Sequence, residues 1–484
     1  MYIIADHSHI PIRGGTPMKK GYVIPLKEKF AYGSGDLAVN LAFDSINFYM
    51  LWFIVTVAGI SPGMAGAIFF IARVWDAITD YYMGRISDNT SFTLGRRRPY
   101  IMFGAIPMGI LFMALWFVPP FSEAGKFVYY LGIYILFNTA YTVVSVPYGA
   151  LMAQMTQNYN ERTVLSSFRV GFSFIGSLFA AAGIPFIVDI LFASKPVDTS
   201  YLYMGILFGI VMIGLLISTG VVSKERVEGE RSQYHRFIET IVSFFKLKEF
   251  QQVTGMYLFN AIGSGVIMAL SIFFISDVLK VGDDAAIFMA IPLVTAVLIA
   301  PLWTVISNKY GKRNTYIWGA LFTLIVLGCV LIIPEKHIII ITLFLFFVGI
   351  ALSALQIIPM SLIPDVIDID EYENNIRREG AFNGIIMFMH KAATGIAVGG
   401  VGLLIEFFGY TEAAPNQSAA DIAQPESALT AIRIILALIP AIAFIIAIIF
   451  TWKLDVSKQR FDTIVKELGK RNNERKRIEI NRKV

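Results

Sequence analysis

Gly95-Arg-Arg-Arg-Pro-Tyr-Ile101 follows one long apolar stretch of the chain, and the similar Gly311-Lys-Arg-Asn-Thr-Tyr-Ile317 follows another, 216 residues later. A second, weaker pair of stretches, Val146-Pro147 and Ile358-Pro359, lies 212 residues apart. Because the two offsets agree within four residues, the sequence indicates one internal repeat. The chain is therefore expected to consist of two similar halves.

The composition is that of a membrane protein. Of the 484 residues, 56% are hydrophobic and 15% are charged, and the mean hydropathy is +0.65. A soluble domain has roughly 45–50% apolar and about 25% charged residues, so a soluble protein is excluded. Cys329 is the single cysteine and there are five histidines. Neither a disulfide scaffold nor a zinc site built from Cys and His is expected.

Twelve apolar runs are each long enough to cross a bilayer as a helix. They lie at about 37–60, 63–84, 100–118, 127–154, 164–192 and 201–222, and again at about 251–276, 285–306, 315–333, 337–363, 381–408 and 429–452. The predicted parts are a cytoplasmic N-terminal segment 1–36, a six-helix half 37–222, a cytoplasmic linker 223–250 with an amphipathic helix, a six-helix half 251–453 and a basic cytoplasmic tail 454–484. The predicted fold is an all-α integral membrane protein with twelve transmembrane helices in two parallel six-helix halves, as in major facilitator transporters.

Lys and Arg residues are concentrated in alternate loops, which indicates the orientation of the chain in the membrane. The N-terminal segment, the central linker and the C-terminal tail all lie on the basic side. Both termini are therefore predicted to be cytoplasmic, with the protein in the cell inner (plasma) membrane. The formal charge of +5 arises from residues between apolar runs, so it indicates topology and contact with the lipid bilayer, and no nucleic-acid partner is expected.

Two carboxylates lie inside the second span, in Arg73-Val-Trp-Asp76-Ala-Ile-Thr-Asp80, with a spacing that places both on one face of a helix. Together they cost roughly 5–7 kcal/mol at mid-membrane, so a positive group must neutralise them. The candidates are Arg73, a basic residue of another span, a bound Na+ and a shared proton. Lys391, deep in the eleventh span, needs an acidic partner, so a contact with this pair across the halves is expected. The alternative for the aspartate pair is a static ion-pair network that holds helices together. The alternatives for Lys391 are a side chain that snorkels to the interface and a neutral amine.

Polar side chains also recur along the spans at helical spacing. Asp36, Asn40 and Asp44 form a stripe on the first span, suited to binding hydroxyl groups. Further polar residues that are expected to face inward lie on the fourth, fifth and tenth spans: Asn138, Tyr141, Thr142, Ser145, Arg169 and Gln356. Because unpaired polar groups are costly in hydrocarbon, a stripe contributed by several helices indicates a binding site.

Charged residues of both signs cluster in loops on the predicted cytoplasmic side. These are Asp88, Arg96, Arg97, Arg98, Asp365, Asp368 and Arg378. They predict a cytoplasmic gate whose ion pairs close that side in the outward-facing state. The alternative is that their positive charges serve topology alone.

Several of these motifs resemble one transporter family. Asp76-x3-Asp80 with Gly84-Arg85-Ile-Ser-Asp88, the Gly95-Arg-Arg-Arg-Pro99 run, Tyr32-Gly-Ser-Gly-Asp36-x3-Asn40, and Asp365-x2-Asp368 with Arg378-Glu379-Gly380 are together similar to the glycoside–pentoside–hexuronide:cation symporters, the melibiose permease group of the major facilitator superfamily. The resemblance implies a monomeric, twelve-helix sugar symporter driven by Na+ or H+, with no cofactor besides the coupling ion.

The resemblance also implies roles for individual residues. Asp76 and Asp80 would be the cation ligands, and the metal ligands if the ion is Na+, assisted by Thr79 and Thr142 and bordered by Lys391. The residues implied to line the sugar site are Asn40, Ser145, Gly149 and Arg169. Melibiose permease has aspartates at the positions of Asn40 and Ser145 and a tryptophan at that of Gly149, so the implied substrate is a pentoside, glucuronide or oligosaccharide in place of melibiose.

Other functions compete with this one. Sodium-dependent lysophospholipid symporters resemble the same family and share the aspartate pair, and a sucrose-type proton symporter is a third possibility. A membrane enzyme is not expected, because the sequence contains no G-x-x-x-x-G-K-[ST], H-E-x-x-H or C-x-x-C motif.

Overall fold

The computed structural model describes residues 23–90, 92–156, 159–226, 247–374, 379–412, 423–454 and 467. Within these ranges the chain is helical, without strands apart from an isolated bridge between Phe92 and Gly95. The long helices, in chain order, are α1 Leu26–Ser45, α2 Pro62–Asn89, α3 Arg98–Leu115, α4 Glu123–Met155, α5 Tyr159–Leu178, α6 Val197–Val222, α7 Lys248–Phe273, α8 Ala285–Tyr310, α9 Lys312–Cys329, α10 Ile338–Asn374, α11 Glu379–Phe407 and α12 Glu426–Trp452. The predicted all-α fold is confirmed.

Short π-helical turns extend three of these helices. They are Ile46–Met50 and Phe53–Val57 after α1, Phe179–Gly183 and Phe186–Leu191 after α5, and Phe274–Val278 after α7. Helices also continue beyond the predicted spans, since α1 begins at Leu26 and α10 ends at Asn374. An apolar run marks the stretch inside hydrocarbon, whereas the helix continues into water for as long as the residues favour it.

Nine helices in the described ranges are long and apolar enough to cross a membrane. By this measure α1, α2 and α9 fall short. Helices α1 and α2 are less apolar because they contain charged residues: Asp36, Asp44, Arg73, Asp76 and Asp80. Charges inside a membrane bundle are expensive and face its interior, so these two helices are where a functional site is expected.

Helix packing repeats between the halves. In the first half α1 packs on α5 and α6, α3 packs on α4 and α6, and α2 packs on α4. In the second half α7 packs on α11 and α12, α9 packs on α10 and α12, and α8 packs on α10. Each pair in the second half is the counterpart, six helices later, of a pair in the first. The repeat in the sequence is therefore a repeat of structure.

The halves meet mainly through α2 against α11 and α5 against α8. We call the end of the bundle at which α1 begins the near end, and the end at which α2 begins the far end. At the far end the backbones of α2 and α11 touch, since a Cβ on Gly66 would lie 2.6 Å from the carbonyl oxygen of Gly399. The turns Ile46–Met50 and Phe179–Gly183 also pack on α7 and α8 of the other half.

The predicted domain boundaries remain a prediction. Residues 1–22 of the N-terminal segment, 227–246 of the linker with its expected amphipathic helix, and nearly all of the tail lie outside the described residues. The described start of the linker, Ser223–Arg226, packs against the first half, where the Arg226 guanidinium binds Glu28 at 2.7 Å and its backbone N–H donates to the Gln154 carbonyl at 2.8 Å.

Candidate functional site

A cluster of charged side chains joins the halves. Asp76, which is 1% exposed, and Asp80 lie one turn apart on α2. The hydroxyl of Thr142 on α4 lies 3.0 Å from Asp76 Oδ1 and 2.7 Å from Asp80 Oδ1. From the other half, Lys391 Nζ on α11 lies 2.9 Å from Asp76 Oδ2 and also contacts Asp80 Oδ2. One ammonium therefore bridges two carboxylates across the interface.

Thr79 belongs to the same cluster but binds differently. Its hydroxyl donates to the backbone carbonyl of Asp76 at 3.0 Å and lies 3.5 Å from the Thr142 hydroxyl. The carboxylates of Asp76 and Asp80 and the Thr142 hydroxyl are oxygen donors, which hard cations prefer. The position between them that the Lys391 ammonium fills suits a Na+ ion, and a proton on either carboxylate would neutralise the same charge.

Arg73 supplies a second positive charge beside the aspartates. Its guanidinium is 3.9 Å from Asp76 Oδ2, donates to Asn47 Oδ1 at 2.7 Å and lies 5.0 Å from the centre of the Phe43 ring. Arg73 and Lys391 therefore balance the two carboxylates, which removes most of the cost of burying them. The role of Asn47 was missed by the sequence analysis, although it lies three residues after Asp44 and so continues the polar stripe of α1.

A second polar cluster lies within the first half. Arg169 on α5 forms an ion pair of 3.1 Å with Asp36 on α1 and stacks 5.2 Å from the ring centre of Tyr148 on α4. Asn40 donates to the Asp36 carbonyl at 2.8 Å, and the Tyr148 hydroxyl donates to the Tyr32 carbonyl at 2.8 Å. The Arg169 side chain keeps 28% of its surface exposed.

Helix α4 connects the two clusters. Thr142 in the first cluster and Tyr148 in the second are six residues apart, which is roughly 9 Å along a helix. Ser145 lies between them, and Gly149 follows with no heavy atom within 4 Å of its would-be Cβ. Helix α4 is therefore open at Gly149, next to the second cluster.

The other predicted substrate residues are more dispersed. We call Asp76, Asp80, Thr142 and Lys391 the cation cluster. Tyr141 lies beside it, with Lys391 Nζ 5.9 Å from its ring centre. Asp44 binds the Ser177 hydroxyl on α5 and takes no part in the Arg169 cluster. Ser145 and the exposed Gln356 form no hydrogen bond within the described residues. The structure thus brings Asp36, Asn40 and Arg169 together, whereas Tyr141 lies at the first cluster and Asp44 lies against Ser177.

Several contacts of the predicted gate residues lie inside one half. The backbone N–H groups of Arg96, Arg97 and Arg98 donate to the Glu225 carboxylate at 2.7, 2.8 and 3.0 Å. In the second half Lys312 Nζ lies 2.7 Å from Asp365. Asp368 is half-buried on α10. The side chain of Asp88 and all of Arg378 lie outside the described residues, so the cytoplasmic gate stays a prediction.

Comparison with known proteins places the chain in a family. Residues 31–458 match the family model described as MFS/sugar transport protein. The chain belongs to this family. It is a multi-pass membrane transporter of the major facilitator superfamily and not an enzyme. The resemblance drawn from the sequence motifs is thereby confirmed.

Three relatives illustrate the range of this MFS family. The symporter YnaJ of Bacillus subtilis is 30% identical and the alignment covers 93% of this chain and 96% of that protein. The isoprimeverose transporter of Lactiplantibacillus pentosus is 26% identical over 90% of both chains. The sodium-dependent lysophosphatidylcholine symporter 1 of Xenopus tropicalis is 23% identical, covering 87% of this chain and 85% of the relative.

Solved structures share the fold of this MFS protein. A bacterial homologue of the human lysosomal transporter Spinster, in an inward-facing and unoccupied conformation, superposes with a TM-score of 0.68 at 12% identity. The superposition covers 92% of this chain and 98% of that one. At this identity the likeness is one of fold alone.

Proposed function

We propose that this protein is a secondary active transporter that carries a sugar or glycoside, such as a pentoside, glucuronide or oligosaccharide, together with Na+ or H+ by alternating access. It acts as a monomer in the plasma membrane, with the near end and both termini on the cytoplasmic side. The observation that carries the proposal is the bridge from Lys391 of one half to Asp76 and Asp80 of the other. A site that spans the halves lets an ion control how they move.

Ion coupling follows from the charge balance of this bridge. Because Arg73 still balances one charge of the pair, departure of Lys391 leaves one carboxylate unbalanced at a cost of roughly 2.5–3.5 kcal/mol on insertion scales, so Lys391 departs when another positive charge arrives. Na+ between Asp76 and Asp80, or a proton on one of them, supplies that charge. The Thr142 hydroxyl faces both carboxylates. When Na+ binds, its oxygen turns to the ion; when a proton binds one aspartate, the hydroxyl donates to the other, charged carboxylate.

The second cluster is the proposed sugar site. Asp36 and Arg169 offer charged acceptors and donors to hydroxyl groups, and such hydrogen bonds are stronger than neutral ones. The aromatic face of Tyr148 beside Arg169 suits the apolar face of a pyranose ring. Asn40, Ser145, Gly149 and Gln356 complete the lining, with the absence of a side chain at Gly149 leaving room for a larger glycoside.

A lysophospholipid is the second candidate substrate, because one relative is a sodium-dependent lysophosphatidylcholine symporter. The cation cluster would serve both functions. The Asp36–Arg169 pair favours sugar, since a lipid tail gains nothing from an ion pair in its path.

The proposal is tested by binding to the purified protein, measured by calorimetry with and without Na+ at two pH values. The ligands are a β-glycoside, a pentoside, a glucuronide and lysophosphatidylcholine. We expect a sugar to bind and its affinity to rise with Na+ or with protons. In Asp80→Asn the ion effect should disappear, whereas the surface variant Asp198→Asn, whose exposed side chain bonds to its neighbour Thr199, should behave as wild type.

Two results would count against the proposal. Binding of lysophosphatidylcholine alone would assign the lipid function and withdraw the sugar-site roles of Asn40, Ser145 and Arg169. Sugar binding that ignores both Na+ and pH would remove the cation role of Asp76 and Asp80.

A further inference from the structure

Asp44 is a buried acid that the proposed transport mechanism does not use. It lies on α1 and is 8% exposed, and its carboxyl group accepts a hydrogen bond from the Ser177 hydroxyl on α5. Within the described residues no lysine or arginine forms an ion pair with it. A charge inside a membrane protein is expensive unless another group neutralises it, so Asp44 needs a partner of another kind.

The cations of the bundle interior already balance other acids. Arg169 pairs with Asp36 at 3.1 Å, and Arg73 and Lys391 lie against the two aspartates of the cation cluster. With Asp44 included, four buried or half-buried carboxyl groups thus face three cations among the described residues of this region. The carboxyl group that is left without a cation is that of Asp44.

The helices that pack around Asp44 supply no further cation. Helix α4 has no charged side chain after Lys126, and α6 has none after Asp198. Residues 250–276 of α7 and 285–308 of α8, which pack on the turns after α1 and α5, have none either. The ionisable group that α4 directs towards Asp44 is Tyr141, and a phenol carries no positive charge.

Two cations lie on neighbouring elements but face other groups. On α2, the Arg73 guanidinium donates to Asn47 and lies beside Asp76. On α5, the Arg169 guanidinium binds Asp36. A metal ion takes several oxygen ligands, whereas a proton needs one carboxyl oxygen. A proton therefore suits the single carboxyl and single hydroxyl at this position.

Asp44 and Ser177 lie on the same helix pair as the proposed sugar site. Asp44 follows Asp36 by eight residues on α1, and Ser177 follows Arg169 by eight on α5, which is roughly 12 Å along each helix. Between the two pairs the backbones touch, since a Cβ on Gly176 would lie 2.6 Å from a carbonyl oxygen of α1. The packing of α1 on α5 at one pair is therefore tied to the packing at the other.

We propose that Asp44 is a second proton site of this protein, separate from the cation cluster, and that its proton makes sugar binding depend on pH. One proton from solution converts the carboxylate to a neutral acid and restores the charge balance. Without it, α1 and α5 gain by separating so that water reaches the charge, which disturbs the Asp36–Arg169 pair. The second part of the proposal rests on the sugar site proposed above.

The first measurement detects the proton directly. A protonated carboxyl group has an infrared C=O band that a carboxylate lacks, and the spectrum is recorded without sugar, in saturating Na+, at a pH where exposed acids are ionised. The wild type should show a band that is missing in Asp44→Asn, in which the amide keeps the shape and accepts the Ser177 bond. Ser177→Ala keeps the acid and removes its donor, so the band should remain at a shifted frequency. Asp198→Asn, which changes an exposed acid, should give the wild-type spectrum.

The second measurement follows sugar affinity by calorimetry in saturating Na+ from neutral to alkaline pH. In the wild type the affinity should be full at low pH and decrease as pH rises, by up to about tenfold per pH unit for the loss of one proton. In Asp44→Asn it should stay at the value that the wild type has at low pH. Asp198→Asn should follow the wild type.

The outcomes separate the parts of the proposal. A band of equal intensity in the wild type and Asp44→Asn, or no band in either, would overturn the proton at Asp44. A pH dependence of sugar affinity that is the same in Asp44→Asn as in the wild type would overturn its link to sugar binding. Because the infrared spectra need no sugar, failure of the wild type to bind any sugar would overturn the proposed function and leave the proton at Asp44 standing.

Discussion

At the scale of single residues, Lys391 is the side chain on which the cation cluster depends. In Lys391→Ala the positive neighbour that the described residues leave to the carboxylates of Asp76 and Asp80 is Arg73, at 3.9 Å from Asp76. Removing one partner of a buried ion pair costs roughly 3–5 kcal/mol. We expect a lower melting temperature in Na+-free buffer and a larger stabilisation by Na+ than in the wild type, measured by thermal unfolding in detergent.

The control for this variant is Lys280→Ala. Lys280 pairs with Glu335 at 2.7 Å, but both side chains are more than 40% exposed, so the loss should be about 0–1 kcal/mol and independent of Na+. An equal response of the two variants to Na+ would contradict the cation role of the cluster.

Arg169 is the corresponding residue of the proposed sugar site. Lysine keeps its charge but lacks the planar fork that binds Asp36 and stacks on Tyr148. Arg169→Lys should therefore weaken sugar binding by about 10- to 100-fold, as expected for the loss of a charged hydrogen bond, and leave stabilisation by Na+ unchanged. Arg162→Lys, an exposed substitution on the same helix, should leave both properties unchanged. Calorimetry of each variant measures the sugar affinity and the stabilisation by Na+.

At the scale of elements, the start of the linker fixes the first turn of α3. The Glu225 carboxylate accepts three consecutive backbone N–H groups, from Arg96 to Arg98, which no partner within the helix can bind. Glu225→Ala should cost about 1–3 kcal/mol and accelerate hydrogen exchange of those amides, observed by mass spectrometry. Lys224→Ala is the control, because Lys224 bonds through its backbone N–H, which the substitution keeps. Hydrogen exchange of the Arg96–Arg98 amides should therefore not change in this variant. Equal exchange rates in Glu225→Ala and Lys224→Ala would contradict this role of Glu225.

At the scale of the whole molecule, coupling requires that ion and sugar change each other's affinity by the same factor. Asp76→Asn removes one of the charges that hold Lys391 across the interface. We expect it to abolish accumulation of sugar against a gradient in proteoliposomes while sugar exchange continues at a reduced rate. Normal accumulation by the variant would contradict the assignment of Asp76, and Asp198→Asn again serves as the control.

Much of the fold was predictable because its signals are local. Apolar runs long enough to span a bilayer, and a repeat such as that of Gly95 and Gly311, predict the number of helices and the two halves. The spacing of Asp76 and Asp80 likewise places both carboxylates on one helical face. Asn47 continues the polar stripe of Asp36, Asn40 and Asp44 at helical spacing, but the stripe alone does not show that its partner is Arg73 of another helix.

The sequence by itself thus determined a twelve-helix membrane protein with a buried acid pair, since hydrophobicity and helical periodicity act within a short stretch of chain. Only the tertiary structure decided that Lys391 and Arg73 together neutralise the pair, that Arg96 to Arg98 are held by Glu225 of their own half, and that α2 and α11 touch at Gly66 and Gly399. These facts depend on distances between residues far apart in the chain, and such distances are set by how the helices pack.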